Sequence, residues 1–215
     1  VARDIVIVDK YARSGEWTEW RPELFLAADV SGTTLGIVGI GRIGKAVAMR
    51  AAGFDMRVLY YDPMRLDVET ERALNVEYVA FDELLQQADF VTLHVPLGPE
   101  TRHMIDAAAL AKMKPTAYLI NASRGPIVDE KALVQALAAR TIAGAGLDVY
   151  EHEPVLEPGL AELDNVVLVP HLGANTRHTR DRMAEMTVEN LSSALGGGIP
   201  PNLVNPDVLK NRRSR

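Results

Sequence analysis

From Gly32 onward, short apolar runs alternate with longer stretches in which apolar residues recur every three or four positions. The short runs predict strands at 35–40, 56–61, 76–79, 90–95, 116–121, 143–148 and 166–169. The longer periodic stretches predict helices at 42–53, 66–74, 82–88, 106–112, 129–140 and 175–195. Strands that are apolar throughout, each followed by a helix, imply an α/β fold: a doubly wound parallel sheet with helices on both faces. Asp82 and Asp129 stand where a helix N-cap or first-turn acid belongs. The first 34 residues do not share this rhythm. The stretch from Asp4 to Asp9 is strand-like by propensity, whereas Lys10-Tyr11-Ala12-Arg13 continues more naturally as helix, and local pattern leaves both open. After Ser14-Gly15, residues Trp17, Trp20, Phe25 and Leu26 gather both tryptophans of the chain on one irregular stretch. Such aromatics either meet another domain or subunit or cap the edge of their own sheet.

The first strand runs directly into Gly39, Gly41 and Gly44, spaced G-x-G-x-x-G, and then into an Ala-rich helix. Gly39 allows a sharp turn, Gly41 lets a pyrophosphate approach the backbone, and Gly44 lets the helix pack closely on the strand. The N–H groups that open the helix then face the phosphate. A glycine turn of this kind can also serve packing alone. What moves the reading toward a dinucleotide is Asp62, at the end of the second run and eighteen residues beyond Gly44, where an acid accepts both ribose hydroxyls of an adenosine. That acid disfavours a 2′-phosphate and so predicts NAD over NADP, although Arg65 three residues on would soften the preference.

Composition narrows the picture without redirecting it. With 215 residues, 47% apolar and 24% charged, the chain can bury a real core, and its net charge of −6 comes with no basic stripe. Neither nucleic acid nor an anionic membrane is therefore an expected partner. There is no cysteine, which excludes disulfides and thiolate chemistry and suits a cytoplasmic location. No stretch reaches the length of a membrane span, and the N-terminus lacks the signature of a signal peptide. The first residue is Val1 rather than Met, so the natural chain is expected to be longer.

In a doubly wound sheet, ligands sit beyond the carboxyl ends of the strands. Those ends carry His94-Val95-Pro96, Asn121-Ala122-Ser123-Arg124-Gly125, the segment from Asp148 to Pro154 with Glu151 and Glu153, and Pro170-His171-Leu172-Gly173. Taken singly, each has a dull explanation: a capping arginine, solvated carboxylates, a turn histidine. Together they place an arginine, a carboxylate pair and a histidine on the cofactor's edge of the sheet.

With Val128-Asp129 and Gly146-Leu147-Asp148-Val149-Tyr150, these motifs resemble the D-isomer-specific 2-hydroxyacid dehydrogenase family from about Arg13 to Pro206, and Arg13-Ser14-Gly15-Glu16-Trp17 and Leu203-Val204-Asn205-Pro206 resemble its glyoxylate and hydroxypyruvate reductase branch in particular. The resemblance implies a Rossmann fold and makes the segment before Arg13 helical. It implies three parts: a leading helix and aromatic connection at 1–34, a dinucleotide-binding domain at 35–175, and a C-terminal helix and tail at 176–215 that return to a substrate domain. Most of that domain precedes Val1 in the family and is absent here, so the chain is expected to bind cofactor with little turnover.

By the same resemblance, Arg124 binds substrate, His171 is the acid/base, and Glu153 is its carboxylate partner. The cofactor NAD would be held by Gly39, Gly41, Arg42, Ile43, Gly44, Asp62, Val95, Pro96, Thr101, Ala122, Ser123, Arg124, Asp148, His171 and Gly173, with Asp148 beside the nicotinamide carboxamide. The substrate would be a small 2-oxo or 2-hydroxy acid. No metal is expected, and a homodimer through the cofactor domain is. The residues suit this chemistry on their own terms. A carbonyl receiving hydride needs a proton donor, which a histidine supplies near neutral pH, and a cation, which arginine supplies as a planar fork. Two other classes stay open: an NAD-regulated corepressor-like binding protein, which shares the triad, and a phosphite or formate dehydrogenase. Glu153-Pro154 argues against formate.

Overall fold

The structure is a computed structural model, and it describes residues 1–211. The end of the tail, residues 212–215, lies outside the described residues. Two compact units are present: Val1–Pro170, and a second that begins at His171.

In the first unit, seven parallel strands form one sheet in the order β3-β2-β1-β4-β5-β6-β7. They are β1 (Thr34–Val38), β2 (Arg57–Tyr61), β3 (Val76–Tyr78), β4 (Phe90–Leu93), β5 (Tyr118–Asn121), β6 (Gly144–Leu147) and β7 (Val166–Leu168). All seven expected strands form. All but β2 and β5 stop short of the expected ends, because the last residues of those apolar runs leave the sheet to build the loops that follow. The strand order reverses between β1 and β4, and this switch point opens a crevice at the carboxyl edge.

Helices cover both faces. On one face, α4 (Phe81–Gln87), α5 (Ala107–Lys112) and α6 (Glu130–Ala138) bring Leu84, Leu85, Leu110, Leu133 and Leu137 onto Val91, Leu93 and Leu119 of the central strands. On the other, α2 (Arg42–Ala51) sets Ala48 and Ala51 against Ile37, Val58 and Tyr60, and Leu74 of α3 (Val68–Leu74) packs alongside. The central strands are thus buried on both faces, which is why they read as unbroken apolar runs.

The helix starts follow their acids. Asp129 caps α6, its Oδ1 accepting from the Ala132 N–H at 3.0 Å. Asp82 lies in the first turn of α4 and pairs with Lys112 at 2.7 Å. The stretch whose pattern was undecided is a helix, α1 (Ile5–Ser14), ended by Gly15 with φ 80°. Trp17, Trp20 and Leu26 beyond it are exposed.

The second unit is built on α7 (Arg177–Leu195), capped by the Thr176 side chain, which accepts from the Thr179 N–H at 3.1 Å. Asn190 ties this helix to Asn202 in the returning tail. No residue of α7 is buried. Among the described residues no helix is long and apolar enough to cross a membrane.

Candidate active site

The glycine turn between β1 and α2 is held from both sides. Gly39 has φ 94°, the left-handed region that glycine enters without strain, and its N–H donates to the Tyr61 carbonyl at 2.8 Å. A Cβ at Gly39 would lie 2.8 Å from the backbone of His94, and one at Gly44 would overlap the Gly39 carbonyl oxygen. Both glycines are therefore required by packing. Gly41 differs. It caps α2 in extended conformation with no side-chain cap, and nothing lies within 4 Å of where its Cβ would be. The first N–H groups of α2 thus open onto space through which a phosphate can approach.

That space is a cleft of about 900 Å³ lined by Gly41, Arg42, Ile43, His94, Val95, Pro96, Leu97, Ala122, Ser123 and Arg124. It gathers most of the residues expected to hold the cofactor, drawn from the ends of β1, β4 and β5. Thr101 is not in its wall. Its hydroxyl donates to the Pro96 carbonyl at 2.7 Å and accepts from the Gly98 N–H at 2.8 Å, closing the loop that carries Val95 and Pro96. Asp62 stands just past β2. Its Oδ2 accepts from the Ile40 N–H at 3.0 Å and its Oδ1 from the Met64 N–H at 2.9 Å, so the acid ties the glycine turn to the end of β2. A carboxylate has about four lone-pair sites, which leaves capacity for ribose hydroxyls.

At the end of β5, Asn121 is 1% exposed and shapes the turn that carries Arg124. Its Nδ2 donates to the Arg124 carbonyl at 3.0 Å and its Oδ1 accepts from the Ser123 N–H at 3.1 Å. The Arg124 side chain is exposed, with Nη1 donating to the Ser123 carbonyl at 2.6 Å. A Cβ on Gly125 would overlap the Tyr150 carbonyl, so the arginine loop and the loop after β6 meet backbone to backbone. Asp148 is buried just past β6, its N–H donating to the Asn121 carbonyl at 2.9 Å.

The carboxylate pair divides. Glu153 accepts from the Tyr150 N–H at 3.1 Å and precedes a cis peptide bond to Pro154. Glu151 turns away to Arg102 at 3.1 Å and His103 at 2.7 Å, while its N–H donates to the Glu130 carboxylate at 2.8 Å. Burial pushes the Glu130 carboxyl above its ordinary range. The Tyr150 hydroxyl donates to the Val169 carbonyl at 2.9 Å, fixing the exit of β7. His171 and Gly173 belong to the second unit, where His171 is exposed with φ 53°.

Residues 1–173 match the family model described as D-isomer specific 2-hydroxyacid dehydrogenase, NAD binding domain. The chain belongs to this dehydrogenase family. It is 54% identical over 213 residues to a glyoxylate reductase of Korarchaeum cryptofilum, covering 98% of this chain and 64% of that protein. A solved protein of Thermus thermophilus superposes with a TM-score of 0.88 at 47% identity, over 95% of this chain and 64% of that one. D-lactate dehydrogenase with NAD+ from Lactobacillus jensenii gives 0.80 at 31% identity, over 95% and 64%. The chain thus spans about 64% of the relatives it matches.

The residues fit the cofactor that the family name states. An uncapped helix start with open space before it suits a pyrophosphate, and a carboxylate past β2 suits a ribose diol. Four contributors had no assigned role in the sequence reading of this dehydrogenase domain. His94 and Leu97 line the cleft, and Asn121 and Tyr150 position the loops around it. His94 and Asn121 carried a signal, since each is a polar residue closing an apolar run. Burial holds the His94 imidazole below its usual range, so it faces the cleft neutral near physiological pH, with Nε2 3.0 Å from the Thr92 hydroxyl.

Proposed function

We propose that the protein to which this chain belongs is a cytoplasmic homodimer that reduces a small 2-oxo acid, such as glyoxylate or hydroxypyruvate, to the D-2-hydroxy acid with NADH. The observation that carries this reading is the cleft, where the open start of α2 and Arg124 share one wall. Relatives named glyoxylate reductase favour it over a corepressor-like or a phosphite or formate dehydrogenase role.

When bound, the nicotinamide supplies the hydride. The work of the chain is to hold and to move a proton. The N–H groups of Arg42 and Ile43 hold the pyrophosphate, and Asp62 accepts the ribose hydroxyls. Asp148 accepts from the nicotinamide carboxamide. Arg124 grips the substrate carboxylate and carbonyl oxygens with its planar fork, offsetting the charge that grows on the carbonyl oxygen. His171 gives that oxygen its proton, and in the reverse direction removes it. Glu153 takes the role of the carboxylate partner in the triad. A substrate domain of the kind the family resemblance implies supplies the remaining hold on the carboxylate.

A panel of glyoxylate, hydroxypyruvate, 3-phosphohydroxypyruvate and phosphite tests the reading, run on this chain and on the protein with its upstream residues. We expect the chain to bind NADH with little turnover and the longer protein to prefer glyoxylate or hydroxypyruvate. A preference for phosphite, or full turnover by the chain alone, would contradict it.

A further inference from the structure

Asp62 alone does not account for how this chain would treat a 2′-phosphate, because Arg65 follows in the same connection between β2 and α3 and a guanidinium is a natural phosphate ligand. The structure shows where that guanidinium goes. Arg65 Nε donates to Glu71 Oε1 at 2.8 Å and Nη2 to Glu71 Oε2 at 3.0 Å, a bidentate pair with the first turn of α3. The same guanidinium lies over the Tyr78 ring of β3, 5.2 Å from its centroid. Glu71 is itself fixed. Its side chain is 11% exposed, and Oε1 also accepts from the Tyr60 hydroxyl at 2.6 Å. Tyr60 is fully buried, and its hydroxyl oxygen accepts from the Leu66 N–H at 2.9 Å. Arg65 is therefore clamped at both oxygens of an anchored carboxylate and against an aromatic face, and the clamp is tied through Tyr60 to the core of the sheet.

We propose that Glu71 is a specificity-determining residue: by clamping Arg65 against Tyr78 it withholds from a cofactor 2′-phosphate the cation that would otherwise bind it, and so enforces the preference for NAD(H). This rests on the reading of Asp62 as the ribose acid. It is a separate device, since Asp62 acts by repulsion and Glu71 by occupying the competing cation. The pair is stable in this role: the Arg65 guanidinium and the Tyr60 hydroxyl hold the Glu71 carboxyl at about 2, so the clamp stays charged throughout the physiological range.

The test is calorimetric titration of this chain with NADH and with NADPH. Arg65→Ala should leave NADPH affinity unchanged within about twofold, whereas an arginine already on the phosphate would cost about tenfold or more, the worth of one charge-assisted hydrogen bond. Glu71→Gln keeps the shape, loses the bidentate grip and should tighten NADPH by about tenfold with NADH affinity little changed. Adding Arg65→Ala to Glu71→Gln should abolish the gain. Loss of NADPH affinity in Arg65→Ala overturns the proposal even if Glu71→Gln fails to fold, and so does an unchanged NADPH to NADH ratio in a folded Glu71→Gln. Asp62→Asn separates the two readings. If it raises relative NADPH affinity while Glu71→Gln does not, only the clamp is wrong; if neither moves the ratio, the ribose assignment falls as well.

Discussion

Arg124 and His171 divide the proposed chemistry between holding and proton transfer, and substitutions should separate the two. In the protein with its upstream residues, Arg124→Lys keeps a charge and loses the fork, so KM for the 2-oxo acid should rise with a smaller effect on kcat. His171→Ala should lower kcat by about 10²–10⁴-fold and leave NADH affinity nearly intact, as expected for loss of a general acid. Steady-state kinetics with a separate NADH titration would read both, and an Arg124→Lys enzyme with normal KM would show that the substrate is held elsewhere. Most of the residues that line the cleft were legible because chemistry-bearing side chains cluster just past apolar runs. The Glu71 clamp was not legible. Nothing in the sequence distinguishes Glu71 from a solvated helix acid, and only the fold brings β3 and the start of α3 around Arg65.

At the scale of elements, the loops after β5 and β6 meet backbone to backbone at Gly125 and Tyr150. Gly125→Ala drives a methyl into the Tyr150 carbonyl and should cost about 1–3 kcal/mol, the usual range for forced overpacking, measured as a lower denaturant midpoint. Asp129→Ala should cost about 1 kcal/mol by removing the α6 cap, with the site unmoved. A neutral Gly125→Ala would mean that the two loops can part without loss. All seven strands and the helices from α2 to α7 could be read from pattern, because continuous apolar runs and 3.6-residue periodicity are strong signals. The opening helix could not. Its β-branched residues favour strand locally, and the family resemblance, rather than propensity, pointed to the helix that forms.

For the molecule as a whole, acid stability should report the Glu71 pair. Its carboxyl is lowered from 4.5 to about 2, first by the Arg65 hydrogen bonds and then by Tyr60. A depressed acid contributes stability that is full above the ordinary value and is lost as pH falls through the folded one. Unfolding free energy should thus decline more steeply between about pH 4.5 and 2 in the native chain than in Glu71→Gln. Equal slopes would remove Glu71 from the acid transition. At the alkaline end, Tyr60 is pushed up to about 12, by burial first and by Glu71 second, so stability should fall as pH rises from 10 toward that value. The proposed dimer is checked by sedimentation at tens of micromolar, roughly where a micromolar dimer is mostly formed. Trp17, Trp20 and Leu26 stand exposed beside α1, consistent with a surface for a second copy, and a strictly monomeric chain would contradict that assignment.

The central claim is hydride transfer between NADH and a 2-oxo acid with D stereochemistry, and one measurement addresses it directly. The protein with its upstream residues is given hydroxypyruvate and NADH deuterated at both nicotinamide C4 positions, and the product is resolved by chiral chromatography and mass spectrometry. The account predicts D-glycerate carrying one deuterium at C2. Glycerate without deuterium, or deuterated L-glycerate, would contradict it.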